Sequence, residues 1–174
     1  SFSEDFQKFE LVFRTDAADL PGHEDVVAFP DSSLKRGAEL RHEKLPFTVQ
    51  VKEFMANSDP SLRAPMMDKG EPQASNGIAQ RFKFQSTPVT GRMESKNIPT
   101  AIIEVAESGG KSLGSWVASG WTGDESMTQV AAVGLARSMS GDSKGELDGR
   151  TRELARQYLN RLLEPQKFTA GSRQ

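Results

Sequence analysis

The stretch KLPFTVQVKEFMANSD, residues 44–59, limits what this chain can become. Phe47, Val49 and Val51 alternate with Thr48, Gln50 and Lys52, the period of a strand with one apolar face. At Glu53 the alternation fails, because the next aromatic, Phe54, takes a position that the pattern gives to the polar face. One extra residue switches the side-chain phase and bends a strand, so a β-bulge near Glu53 is one explanation. Cover on both faces near the strand end is the other. The segment Asn57, Ser58, Asp59 and Pro60 then stops the strand. Either way the stretch belongs to a sheet, with Phe47, Val49, Val51 and Phe54 all expected to be buried.

The rest of the first two thirds reads in the same way. KFELVFR (8–14) places Phe9, Leu11 and Phe13 on one face of a strand, and DVVAFP (25–30) is a second, short strand. AELRHE (38–43) reads as extended. Residues 57–76 are rich in Pro, Ser, Asp, Met and Gly and read as a long loop, a length that usually goes with function or mobility. IAQRFKF (78–84) is a strand with Ile78, Phe82 and Phe84 on one face. TAIIEVAE (100–107) is apolar enough for a central strand. ESGGKS then connects it to a hairpin partner, LGSWVASGW (113–121), with Leu113, Val117 and Trp121 on one face and Trp116 on the other. MTQVAAVGLARSM (127–139) fits helix and strand equally. RTRELARQYLNRLLE (150–164) is the clearest helix, its stripe being Leu154, Ala155, Tyr158, Leu159, Leu162 and Leu163, and Pro165 ends it.

The expected fold is therefore mainly β, a β-sandwich or partly open barrel with one C-terminal amphipathic helix. Residues 1–145 form the β-rich domain, and 146–174 supply a helix and tail packed on that same domain. A chain of 174 residues buries roughly 70% of its unfolded surface and needs no staple. The formal net charge is -2, with both signs mixed along the chain, which argues against nucleic acid or an anionic membrane as a charge-held partner. There is no cysteine, so thiol nucleophiles, thiolate metal sites and disulfides are excluded. No apolar run approaches the roughly 20 residues of a membrane helix. The start, SFSEDF, carries neither Met nor a signal peptide, as expected of a processed protein or an excised soluble segment.

Candidate chemistry is sparse. His23 in LPGHED and His42 in LRHEKL are the only histidines, and neither has a neighbour at ligand spacing, so both read as surface or turn residues rather than metal or haem ligands. Met66 and Met67 in the long loop could meet something flat and apolar, but packing is the simpler role. Of Trp116 and Trp121, one reads as core and the other as a contact surface. GSW and ASGW lack the nucleophile-elbow pattern. Gly110, Lys111 and Ser112 lead into a strand, so they read as a turn and not a phosphate loop. Asp68, Glu71 and Asn76 lack the register of a calcium loop. The reading contains no catalytic residue, no metal site and no enzyme.

Two stretches, FPDSSLKRGAELRHEKLPFTVQVKEFMANSDPSL and KNIPTAIIEVAESGGKSLGSWVAS, together resemble the extracytoplasmic region of ResB-like cytochrome c biogenesis proteins. The residues that carry the resemblance are Pro30, Leu34, Gly37, Leu45, Pro46, Phe47, Asn57, Ser58, Asn97, Pro99, Ala101, Gly114 and Trp116. It spans residues 26–121. The resemblance implies a non-enzymatic β domain on the periplasmic or outer face of the cell membrane, belonging to a membrane-anchored factor for haem attachment. Its partners would be a CcsA-type haem-handling membrane protein and apocytochrome c. Membrane contact would run through segments absent from this chain, and haem would be handled by the full complex, with no cofactor in this domain. The other expectation, from a different class, is a stand-alone secreted or periplasmic ligand-binding β domain that uses the 57–76 loop and an exposed tryptophan.

Overall fold

The computed structural model describes residues 8–16, 21–63, 66, 68–92, 95–123, 149–150, 153 and 157. These build a mainly β, antiparallel architecture of stacked sheets. In chain order the strands are β1 (Glu10–Asp16), β2 (Glu24–Pro30), β3 (Glu39–Leu40), β4 (Phe47–Met55), β5 (Ser58–Leu62), β6 (Phe82–Ser86), β7 (Thr100–Glu107) and β8 (Ser112–Ser119). The central sheet has the order β3-β4-β7-β8, with the pairs β1-β2 and β5-β6 as separate two-stranded sheets. Among the described residues no sheet closes into a barrel.

Each face of the central sheet carries its own core. On one face Leu40, Phe47, Val49, Val51, Ala101, Ile103 and Val105 meet Leu11 and Val27 of the β1-β2 pair, with Leu34 and Leu45 filling the margin. The rings of Phe13 and Phe47 stand edge to face, 5.6 Å apart. On the opposite face Met55, Ile102 and Val117 meet Phe82 and Phe84 of β6 and the buried Ile78 and Ala79 of a short 3₁₀ turn, Gly77–Gln80. This second cover reaches only part of the sheet. Beyond it the face is polar, and Lys52 and Glu104 form an ion pair there, Nζ to Oε2 2.7 Å.

That arrangement explains the broken alternation in β4. The ladder to β7 is regular from Phe47 to Val51 and resumes at Glu53 opposite Ile102, leaving Lys52 as the extra residue of a bulge. Phe54 then lies opposite Ala101 and packs, half-buried, on the same cluster as Val51. Met55, one residue on, packs in the other cluster. The bulge answers the phase change, and cover on the second face buries Met55.

Several sequence expectations need correction. The long loop of 57–76 contains β5, paired with β6 in register Ser58↔Ser86 to Leu62↔Phe82. Pro60 does not prevent this. It lies opposite Phe84, whose backbone N–H and C=O are both bonded to the Gln73 side chain and not to the β5 ladder. Proline at such a non-bonded position removes no ladder bond. The expected strand 78–84 is a 3₁₀ turn followed by β6, although Ile78, Phe82 and Phe84 do share one core. Of AELRHE only Glu39 and Leu40 pair in a sheet. β8 ends at Ser119, and Gly120–Gly123 is a 3₁₀ turn. A second bulge, where Val105 pairs with Gly114 and Ala106 with Ser112, puts Leu113 on the Trp116 side instead of the Val117 side. The stripe expected within 150–164 and the ambiguous 127–139 segment lie outside the described residues.

Candidate functional site

The residues that carried the family resemblance come from distant parts of the chain, and many converge where β4 leaves the central sheet and becomes β5. Asn57 occupies the corner. Its side-chain oxygen accepts the Ile98 N–H at 3.0 Å, its Nδ2 donates to the Pro88 carbonyl at 3.0 Å, and its own carbonyl accepts the Thr87 N–H. Asparagine supplies both a donor and an acceptor in one short group, which is what fastening the two ends of an irregular segment requires. Asn97, nine-tenths buried, does the same for residue 90, bonding both the N–H and the carbonyl of Thr90 at 2.8 Å. Pro99 presents its carbonyl to the Gly120 N–H at 2.9 Å.

Next to Asn57 the fully buried Ser58 and Thr100 form a hydroxyl chain with Ser119. Ser58 Oγ donates to the Ile98 carbonyl at 2.8 Å. Its single proton is thereby used, so Thr100 must donate to Ser58 (2.8 Å) and Ser119 to Thr100 (2.7 Å). The Trp121 N–H completes the chain at Ser119 Oγ, and the Trp121 indole N–H donates to the Ser58 carbonyl at 2.8 Å. Every proton in the chain has one direction. This is a structural lock joining β5, β7 and β8.

The other singled-out residues are scattered. His23 and His42 are exposed, and the His42 Nδ1 accepts the Lys44 N–H at 3.1 Å. Met66 is 94% exposed, and Met67 lies outside the described residues. Trp116 and Trp121 are both half-buried and pack against opposite cores, so neither is the free contact surface expected of one of them. Gly110 has φ 89 and forms the expected turn between β7 and β8. Asp68 and Glu71 line one depression of about 190 Å³ together with Arg63, Lys69, Gln73 and Lys83. Asn76 sits elsewhere, bonded to β8, so the three residues weighed as a calcium loop are not brought together. Among the described residues no group of three His, Cys, Asp or Glu side chains could hold a metal ion.

Gln73 was not singled out from the sequence and has a marked role. Its amide covers both outward-facing backbone groups of Phe84 on β6, at 2.7 and 2.8 Å, in the manner of a neighbouring strand. No local pattern marks such a residue, because its partner lies across a turn. On the open part of the sheet face, a hydrogen bond from Lys52 and then one from Ser112 hold the Glu104 carboxyl below its ordinary value, against a smaller opposing effect of burial.

The described residues do not fit haem. Axial ligation draws on His, Cys, Met or Tyr held in an apolar pocket, whereas both histidines and Met66 are exposed and Met55 is enclosed in the second core. No helix among the described residues is long and apolar enough to cross a membrane. Comparison with protein families, with curated proteins and with solved structures finds no match to this chain.

Proposed function

We propose that the chain is a non-enzymatic extracytoplasmic domain of a membrane-anchored cytochrome c biogenesis factor of the ResB-like kind. In this reading it positions apocytochrome c or stabilises a CcsA-type haem-handling membrane protein. It works at the periplasmic or outer face of the membrane, and its amphipathic C-terminal segment, 146–174, packs on the β domain. One observation supports the reading most. The residues that carry the resemblance, spread over 26–121, are framework residues of a single arrangement: Asn57, Ser58 and Asn97 fasten backbone, while Leu34, Leu45, Phe47 and Ala101 share one core. A resemblance built from such residues points to a common scaffold, and the partner-positioning role is what the resemblance implies for it.

The test uses the full-length protein in a cell that makes c-type cytochromes. Deletion should abolish covalent haem on CxxCH cytochromes, and the tagged protein should co-purify with the CcsA-type partner. Normal covalent haem in the deletion strain, with no co-purification, would overturn the proposal.

A second reading, a ligand-binding β domain, is favoured by the depression lined by Arg63, Asp68, Lys69, Glu71, Gln73 and Lys83, which the expected loop partly forms. Neither tryptophan belongs to that lining, so any ligand there would be small, polar and held by charge. A melting temperature raised by such a solute in wild type, and unmoved in Arg63→Ala with Lys83→Ala, would favour this second reading.

A further inference from the structure

One dipeptide that neither functional reading uses has a chemistry of its own. Asn76 is followed by Gly77 in the sequence SNG. Asparagine is among the thermally labile residues. A following glycine offers the least steric hindrance to attack on the asparagine side chain, because it has no Cβ and moves freely through φ and ψ. We propose that Asn76–Gly77 is a site of spontaneous deamidation that the edge of β8 keeps closed, so that conversion occurs when residues 73–80 release from the sheet. This proposal is independent of the function argued above.

The reaction needs no co-reactant but water. The Gly77 amide nitrogen attacks the Asn76 Cγ, and the new N–Cγ bond forms as the Cγ–Nδ2 bond breaks. Ammonia leaves with the amide proton, and the product is a five-membered succinimide. Water then opens one or other ring carbonyl, giving aspartate or isoaspartate at position 76. Ring closure requires the Gly77 nitrogen to swing towards the Asn76 side chain.

In the folded chain that swing is blocked from several sides. Asn76 is extended, with φ -135 and ψ 168, and Gly77 has φ 71 at the start of the 3₁₀ turn. The Asn76 N–H donates to the Ser115 carbonyl of β8 at 3.0 Å, and its Nδ2 donates to Ser75 Oγ at 2.9 Å. Ser75 is itself joined to β8: its N–H donates to Ser115 Oγ at 2.8 Å and its Oγ accepts the Ser115 N–H at 2.9 Å. Gln80 Nε2 ties the segment from the other end through the carbonyls of Ala74 and Ser75. The carboxamide also sits against Gly114, where an added Cβ would collide with Nδ2. Rotation of Asn76 thus requires the Ser75–Ser115 contacts to open first. After conversion the donor at Nδ2 is gone, and isoaspartate lengthens the main chain by one carbon, so the segment cannot reseat as before.

The test follows the NH-to-O mass change and isoaspartate content of the peptide containing position 76 during incubation of the whole chain in mildly alkaline buffer. Conversion should be roughly tenfold or more slower in the native chain than in strong denaturant, since reaction proceeds only from the open form. In graded sub-denaturing urea the conversion rate of wild type should rise in step with hydrogen exchange of the 73–80 amides. Ser75→Ala and Ser115→Ala, shown folded by circular dichroism, should convert faster than wild type under native conditions and at the same rate in denaturant. Equal rates in native and denatured wild type would overturn the proposal, as would no conversion in denaturant. A conversion rate independent of urea while the amides open would do the same, and this arm needs no variant.

Discussion

Thr100 shows how much a single side chain can fix when it is wholly enclosed. It is 0% exposed and stands in the middle of the hydroxyl chain, donating to Ser58 and accepting from Ser119. Valine has nearly the same shape but offers no hydroxyl. Thr100→Val should therefore leave Ser58 without its donor and Ser119 without its acceptor, at a cost of about 1–3 kcal/mol for stranding buried polar groups. Urea unfolding measures it, and an unchanged midpoint would show that the chain of hydroxyls contributes nothing. Glu104 gives a smaller effect of a different kind. Its pKa is depressed by hydrogen bonds from Lys52 and Ser112. A carboxylate whose folded pKa is lowered adds stability above its unfolded pKa, and that increment is lost as pH falls through the folded value. Lys52 is about half exposed in this pair, so solvent screening keeps the increment small. Glu104→Gln should flatten the acid side of the stability profile below the ordinary carboxylate pKa. Parallel acid limbs for wild type and variant would disprove the assignment.

Among the elements, the two bulges decide which side chains meet which core. The bulge at Lys52 keeps Phe54 with Val51, and the bulge beside Gly114 moves Leu113 over to Trp116. Gly114 has φ 125, which side-chain-bearing residues rarely adopt, and an added Cβ would also meet the Trp116 ring at 3.1 Å and Ser75 Oγ at 3.3 Å. Gly114→Ala should cost about 1–3 kcal/mol from the backbone alone. Hydrogen exchange should show the loss concentrated in β8 and the 73–80 segment that leans on it, with β1 and β2 unaffected. Uniform loss of protection would argue against so local a role. The phase change at Glu53 is legible in the sequence because a firm alternation precedes it. The bulge in β8 is not legible there, because LGSWVAS is mixed in size and polarity and has no period firm enough to be broken.

For the molecule as a whole, three stacked antiparallel sheets form a separate core on each side of the central one, and the described histidines lie outside both cores, exposed. If haem is handled by partners and not by this domain, titration of the isolated chain should give no saturable low-spin absorbance spectrum. The control is the His23→Ala, His42→Ala double variant. A saturable spectrum in wild type that vanishes in the variant would overturn this and assign a histidine as ligand. Weak absorbance change that survives the variant would reflect adsorption to apolar surface such as the exposed Val12 and Val26.

Local patterns in the sequence suffice for the mainly β character, the central position of 100–107, the β7-β8 hairpin and the phase change near Glu53, while the choice between a bulge and two-sided cover came from the ladder to β7. The features read from local patterns follow from the period-two burial of a sheet and from turn residues adjacent in the chain. Tertiary packing makes Ser58–Leu62 a strand, since its ladder partner lies beyond a segment of irregular backbone and its proline falls where no ladder bond is due. It also decided that both tryptophans are packed, that Gln73 covers a strand edge, and that Asn57, Ser58 and Thr100 form one lock with Ser119. Each of these depends on which residues oppose one another across sheets. That information exists in no window of the sequence, because it is fixed by the stacking of whole faces.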